Sequence, residues 1–361
     1  MNICLEGAFY SGHGLAEGNR ILLRILEQAG HHVRINPVDK EWVKQQILPP
    51  GETAYLRSFE ETPLPTRDLF LCNWIGSEVR HDPDYRVNIC RTTFETDRIP
   101  QSWVRELNKF HEVWVQCSFN QSTFAASGVT APLRLIPNFF DESQFAPEGG
   151  SMPLNVGKSY LFLSVFDLKE RKGYDVLLRA FLNEFSSRDD AALVIKVRSG
   201  KLVSKLHEVI KAHAKPAWLR PCVHVIERML IPDDLSRLYR TCDSFVLPTR
   251  GEGWGRPFFE AMLMEMPVIG TNWSGQTEFM SEDNSFPVKV ERLVPVKNVP
   301  ELAGHYWAEP SLSDLQQKMR YVFENREAAK AIGKKARADL LSKYSMEETS
   351  RKVAAELDKF R

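Results

Sequence analysis

The stretch RGEGWGRPFFEAML, Arg250 to Leu263, packs three glycines into five residues around one tryptophan, then an arginine, a proline and an apolar helical pattern. Two acids, Glu252 and Glu260, stand eight positions apart. SFVLPT before it reads as a buried strand, so RGEGWG is the loop after a strand and PFFEAMLMEM the helix it opens. Pro257 sits near the first helical position, where its missing N–H costs nothing. The free N–H groups of that first turn and the helix dipole favour an anion, and the glycines let backbone approach it closely. The junction is therefore a seat for a phosphate. Glu260, about one turn in, projects towards the same mouth, where a carboxylate accepting from two neighbouring hydroxyls suits a ribose. Glu252 is placed to meet another polyol. The plain alternative is a glycine-rich connector with a surface acid and an acid on the helix dipole.

Such a loop needs a sheet behind it. Short apolar runs alternate with helical patterns along the chain. MNICLEG, HHVRINP, DLFLCNW, RVNICRT, HEVWVQC and LRLIPNFF read as strands, and Gly18–Gln28 as a helix that Gly30 ends. APEGGSMPLNVGKS breaks the rhythm with Gly, Pro, Ser and Asn and reads as a linker. The rhythm then restarts. SYLFLSVF, ALVIKVRS, VHVIER, DSFVLPT and PVIGTNW are strands. Asp175–Glu184, Lys201–His213 and DDLSRLYRTC, capped by Asp233 or Asp234, are helices. Met346–Phe360 is the last helix. This is the pattern of two open, mostly parallel α/β sheets covered by helices. The expected divisions are residues 1–150, a linker at 151–157, a second domain at 158–343 and a closing helix at 344–361. Ligands of such sheets bind outside the carboxyl ends of the strands, which predicts a cleft between the two domains.

The bulk numbers agree with a globular enzyme-sized chain. At 361 residues it exceeds one ordinary core. Forty-seven basic residues balance forty-seven acidic ones, which argues against broad nucleic-acid binding, since that rests on neutralising phosphates. Six scattered cysteines without a CxxC pair read as buried thiols in a reducing compartment. The N-terminus lacks the basic start and apolar run of a signal peptide, and no stretch approaches ~18 apolar residues. A cytoplasmic protein is expected, with docking on the inner face of a membrane left open.

EGWGRPFFE resembles the E-x7-E motif of retaining family-4 glycosyltransferases (glycosyl transferases group 1), which have the two-domain B-type fold. The resemblance covers nearly the whole chain and is strongest from Lys172 to Glu278. YLFLSVFDLKERKGYDVLLRAF is similar to their strand-loop-helix after the linker, LYRTCDSFVLPTRGEGWG to the approach to the motif, and PVIGTNWSGQTEFM to the following strand and turn. LRLIPNFFDESQF resembles the end of their first domain, and YSMEETSRKVAAEL their closing helix, which crosses back to the N-terminal domain. The resemblance implies two Rossmann-like domains facing across a cleft, the first for the acceptor and the second for a nucleotide-sugar donor. It implies transfer of the sugar, with retention and without a metal or further cofactor, to an acceptor hydroxyl of a glycan, a lipid-linked or another acceptor. The wider setting is glycan or glycoconjugate biosynthesis. A sugar-nucleotide epimerase, a phosphorylase and a catalytically silent binding subunit on the same fold stay open.

Site residues follow from the resemblance. Glu260 inherits the donor ribose and Glu252 the donor sugar. The backbone of Gly253, Trp254, Gly255 and Pro257 inherits the diphosphate, with Lys172 as one of its cations. The second cation is usually an arginine six residues before that lysine, where this chain has Phe166. Arg171, Lys169 or Arg256 replaces it, and Arg256 is favoured for its place at the helix start; a surface side chain is its alternative. Gly12 and Gly14, in AFYSGHGLAEGNR, match a glycine-rich turn after the first strand that closes over the phosphates. Glu95, with Asp97 and Arg98 beside it, stands where the family commonly has a histidine near the donor sugar, or it belongs to a salt-bridged loop. The backbone around Glu227–Leu230, including Arg228 and Met229, inherits base recognition. Gly275 and Glu278 face the same cleft or form a structural cap. The Asp82-Pro83-Asp84 triplet lies in a polar loop rather than directly after a strand, so no metal site is expected there. His31-His32 is expected to face solvent. The basic stretch Lys196, Arg198, Lys201, Lys205, Lys211, Lys215 and Arg220 reads as a solvated surface, with attraction to anionic lipid as its alternative.

Overall fold

Strands of a parallel sheet are covered on both faces, so they read as nearly continuous apolar runs, and this chain has such runs in two sets. The computed structural model describes residues 1–198 and 203–361 and contains two units. The first unit holds Met1–Asp141, Lys297–His305 and Tyr344–Arg361. Its chain runs β1 (Asn2–Gly7), α1 (Gly14–Gln28), β2 (His32–Pro37), α2 (Pro50–Glu60), β3 (Leu69–Asn73), β4 (Val87–Arg91), α3 (Gln101–Leu107), β5 (Glu112–Val115), α4 (Ser118–Ser127) and β6 (Leu133–Leu135). The strands are parallel in the order β2-β1-β3-β4-β5-β6, so the strand order reverses between β1 and β3.

The second unit holds Glu142–Val296 and Tyr306–Lys343. It runs β7 (Tyr160–Phe166), α5 (Tyr174–Glu184), β8 (Ala191–Val197), α6 (Val203–Ala212), β9 (Cys222–Glu227), α7 (Pro232–Thr241), β10 (Ser244–Leu247), α8 (Arg256–Leu263), β11 (Val268–Thr271), β12 (Phe286–Val288), the antiparallel pair β13 (Val290–Pro295) and β14 (Tyr306–Pro310), α9 (Leu312–Glu324) and α10 (Arg326–Tyr344). The main sheet has the order β12-β11-β10-β7-β8-β9, reversing between β7 and β10. Its core joins Phe162, Leu163, Leu193 and Ile195 to Phe181, Phe245 and Met262, all fully buried. The last helix, α11 (Met346–Leu357), returns to the first unit, where Val353 and Leu357 join the cluster of Ile3, Leu5, Leu22, Leu26 and Val33.

Three local expectations are corrected. The helix in DDLSRLYRTC begins at Pro232 with Ile231 as its cap, and neither Asp233 nor Asp234 caps it. Proline takes the first turn, and the two acids fall inside that turn, where they act on the helix dipole. His31 is buried rather than solvent facing, its ring beside the N-terminal ammonium at 3.4 Å, while His32 is exposed. In the basic stretch Lys196 is half-buried, Lys215 donates to the Asn183 and Phe185 carbonyls at the end of α5, and Arg220 donates to the Lys215 and Lys211 carbonyls. Lys201 and the expected helix start at Lys201 lie outside the described residues.

Candidate functional site

In the second unit, β7 and β10 are neighbours and the strand order reverses between them, so the loops leaving their carboxyl ends meet. The β7 loop carries Lys169, Arg171 and Lys172; the β10 loop carries Thr249 to Gly255. Two glycines allow the close approach. Gly173 has φ +64°, and a Cβ there would collide with the Pro248 carbonyl of the other loop. Gly255 has φ +96° and turns the chain into α8, with Pro257 in the first turn.

The charges of the two loops interlock. Lys172 Nζ donates to Glu252 Oε1 at 2.6 Å, Arg171 lies 3.2 Å from Glu252 Oε2, and the Thr249 hydroxyl reaches Oε1 at 2.9 Å. Arg171 also donates to the Gly251 carbonyl. Glu252 is 5 % exposed. Burial alone would raise its carboxyl, but the charges of Lys172 and Arg171 and the hydrogen bonds from Lys172 and Thr249 outweigh it, bringing it to about 2. The Glu252 amide donates to Ser274 Oγ at 2.8 Å, and its carbonyl accepts from the Gly275 amide at 3.0 Å. This fixes the loop from the β11 side, through the short turn Gly275–Glu278 on which Glu278 sits half-buried.

Glu260 lies on the first part of α8, 6 % exposed. Tyr239 of α7 donates to its Oε2 at 3.0 Å, and Arg256 lies 3.6 Å from its Oε1. Lys196 at the end of β8 faces Asp167, Arg198 and Glu260; burial, the largest effect, lowers its ammonium below the ordinary range. Of the three stand-ins for the missing arginine, Lys169 is exposed, Arg256 lies against Glu260, and Arg171 stands with Lys172 on Glu252. Phe166 is buried at the end of β7. The Trp254 ring points into the core, 5.0 Å from Phe279 and 5.8 Å from Phe259, so its backbone is the part that can meet a ligand. Arg228 and Met229 follow the edge strand β9 and are exposed.

Arg250, absent from the sequence-based site, braces the loop. It is 5 % exposed and pairs with both carboxylate oxygens of Asp175 at 2.8 Å, with Glu309 at 2.7 Å and with the Glu170 carbonyl at 2.7 Å. Burial opposes its charge, but the two acids hold its guanidinium well above the usual range. Nothing in the local sequence singles out its partners.

In the first unit, Gly12 and Gly14 lie between β1 and α1, and Glu95 follows β4. The Glu95 loop is held on both sides. Asn120 accepts from the Thr93 hydroxyl at 2.6 Å and donates to the Phe94 carbonyl at 2.7 Å. Thr96 donates to the Arg98 carbonyl at 2.7 Å and meets His305 Nδ1 at 2.9 Å. Since the Thr96 proton is given to Arg98, the His305 nitrogen is the donor of that second bond. Asp97 and Arg98 pair with each other at 2.9 Å. His305 comes from the segment joining β13 to β14, which no sequence feature marks. Asp82 pairs with Arg80 and Asp84 with Arg67, and among the described residues no group of three His, Cys, Asp or Glu is placed to hold a metal.

Two parallel sheets with an acid-bearing glycine loop at a switch point define an α/β fold of the B type found in two-domain glycosyltransferases. Residues 157–306 match the family model described as "Glycosyl transferases group 1". Among curated proteins, the chain is 34% identical over 86 residues to the capsular polysaccharide biosynthesis glycosyltransferase CapM of Staphylococcus aureus, a match covering 21% of this chain and 22% of that protein. It is 26% identical over 171 residues to the lipopolysaccharide core biosynthesis mannosyltransferase LpsB of Rhizobium meliloti, covering 44% of this chain and 48% of that one. The match thus spans about a fifth of the first relative and about half of the second. The crystal structure of Anabaena HepE in complex with UDP and glucose superimposes with a TM-score of 0.70 at 14% identity, over 99% of this chain and 100% of that one. At that identity the likeness is one of fold.

Proposed function

We propose that the protein is a retaining, metal-independent glycosyltransferase that moves a sugar from a nucleotide-diphosphate sugar to an acceptor hydroxyl in glycan or glycoconjugate biosynthesis. The observation that carries this reading is the meeting of Glu252, Arg171 and Lys172 at the switch point, with Glu260 eight residues on and a helix start between them. The relatives and HepE support it through the sugars and nucleotide in their names.

In this reading the α8 amides with Lys172 and Arg171 take the diphosphate, Glu260 the ribose and Glu252 the donor sugar. The loop after β9 takes the base. Arg256, released from Glu260 when ribose binds, joins the diphosphate. The bond from C1 of the sugar to the leaving phosphate oxygen breaks, and a bond from C1 to the acceptor oxygen forms on the same face. The acceptor proton passes to the leaving phosphate. Fixed donors around that phosphate stabilise its growing charge. Gly12 and Gly14 approach the phosphates, and Glu95 orients the sugar or the acceptor hydroxyl. The reaction takes place in the cytoplasm, at the inner membrane face if the acceptor is lipid-linked.

The test is a panel of nucleotide sugars, first by thermal shift and then by turnover. A binding nucleotide raises the melting temperature by linkage. Free nucleotide diphosphate formed only with acceptor supports transfer. Rearranged donor points to an epimerase, sugar phosphate from glycan and phosphate to a phosphorylase, and binding without turnover of any donor to a silent subunit.

A further inference from the structure

The loop between β1 and α1 has a built-in anion. β2 runs beside β1 in register as far as Gly7 and Pro37, and the Val38 amide extends the pairing to the Gly7 carbonyl at 3.0 Å. This delivers Asp39 against the loop, where it is 4 % exposed. Its Oδ1 accepts from the Phe9 amide at 2.8 Å, and its Oδ2 from the Tyr10 amide at 3.1 Å and the Ser11 amide at 2.8 Å. Three successive N–H groups on one carboxylate form an anion-binding nest whose anion is the protein's own. Three carbonyls of this stretch, those of Ala8, Phe9 and Ser11, are also taken. Arg20, buried on α1, donates to Phe9 O at 2.7 Å and Ser11 O at 3.2 Å, and Asn19 donates to Ala8 O at 2.9 Å.

We propose that Asp39 is the positioning residue of this loop: its carboxylate fills the Phe9–Ser11 nest and so presents Gly12, Gly14 and the first turn of α1 to the phosphorylated substrate. The inference rests on the glycosyltransferase reading for what the loop meets. Residues 9–11 are thereby closed to a substrate anion, and the surface left for one is the glycine tip and the amides of the helix start. The acid is specific to the task. A neutral amide would turn an NH2 donor towards N–H donors, and a buried donor left without an acceptor is costly. A residue that merely fills space would leave turnover unchanged when replaced in a folded protein.

The experiment combines local hydrogen exchange with kinetics on the full chain. In the wild type, the Phe9, Tyr10 and Ser11 amides exchange as slowly as those of β1; exchange at the rate of exposed loops overturns the proposal without any variant. In Asp39→Asn, and in Asp39→Ser should the first not fold, protection of the peptide spanning residues 8–14 falls at least about tenfold while the second unit keeps its protection. UDP affinity falls by severalfold through the lost phosphate contacts of the loop, and kcat falls further, about 10- to 100-fold, the cost of a misplaced loop. Protection or kcat that does not change overturns the positioning role. A wild type that turns over no donor sinks the glycosyltransferase reading instead, and the exchange data then decide the fate of the nest by themselves.

Discussion

Replacing Glu252 with glutamine separates two jobs that the structure combines. The carboxylate now occupies Lys172 and Arg171, the cations proposed for the diphosphate, so donor and Glu252 compete for them. Its drop from 4.5 to about 2 corresponds to a coupling of about 3 kcal/mol between the acid and its surroundings. Glutamine keeps the shape and removes the charge. Part of the coupling returns as solvation of the cations, so UDP should bind about 3- to 30-fold tighter in Glu252→Gln. Turnover should fall at least about 100-fold, because the donor sugar no longer meets a carboxylate in the transition state. The acid limb gives an independent check. Because the folded carboxyl lies below its ordinary value, its contribution is present above about pH 4.5 and is lost as pH falls towards 2. The wild type should therefore lose more stability than the variant across that window, in chemical denaturation at stepped pH. Isothermal titration showing UDP binding weakened tenfold in a folded Glu252→Gln protein would refute the competition argument.

Lys172→Ala leaves buried Glu252 with Arg171 as its remaining cation; breaking such a buried pair costs about 3–5 kcal/mol, and denaturant unfolding should show it together with loss of UDP binding. Arg250→Met strands Asp175 and Glu309, and the melting temperature should fall by several degrees even with nucleotide present; an unchanged value would deny the brace its role. Arg256→Gln should raise the donor KM or cut kcat, and unchanged steady-state kinetics would remove Arg256 from the site. His305→Phe removes the donor to Thr96, so kcat should fall while UDP titration stays as in the wild type.

The central site is legible in the sequence because the hydrophobic period changes there from strand to helix within a few residues. The apolar SFVL becomes β10, the glycines the loop, and the run after Pro257 becomes α8, which places Glu252 and Glu260 without help from distant chain. The runs of β1, β3, β4 and β5 are likewise their own signal, since both faces are buried, while the edge strands β2 and β6 are only partly buried. What escapes is long-range pairing. Arg250 meets partners 75 and 59 residues away, and Asp39 meets amides 28 to 30 residues earlier. His305 lies inside the stretch that matches the group 1 family, yet it folds with the first unit beside Thr96. The start of α7 departs from the aspartate-cap expectation because proline outranks aspartate at a helix entrance. His31 departs from its own because a two-residue histidine pair says nothing of which ring turns inward. α2 buries only Leu56 fully, with Tyr55 and Phe59 packed partly buried beside it, too narrow an apolar stripe to register as a period.

The most direct test of the account is a crystal structure of the protein with UDP or a UDP-sugar. With nucleotide bound, the diphosphate should lie at the backbone N–H groups of Gly253 to Arg256 and on Lys172, the ribose on Glu260, and Glu252 should be turned away from Lys172. Nucleotide bound elsewhere, with the Lys172–Glu252 pair intact, would contradict it.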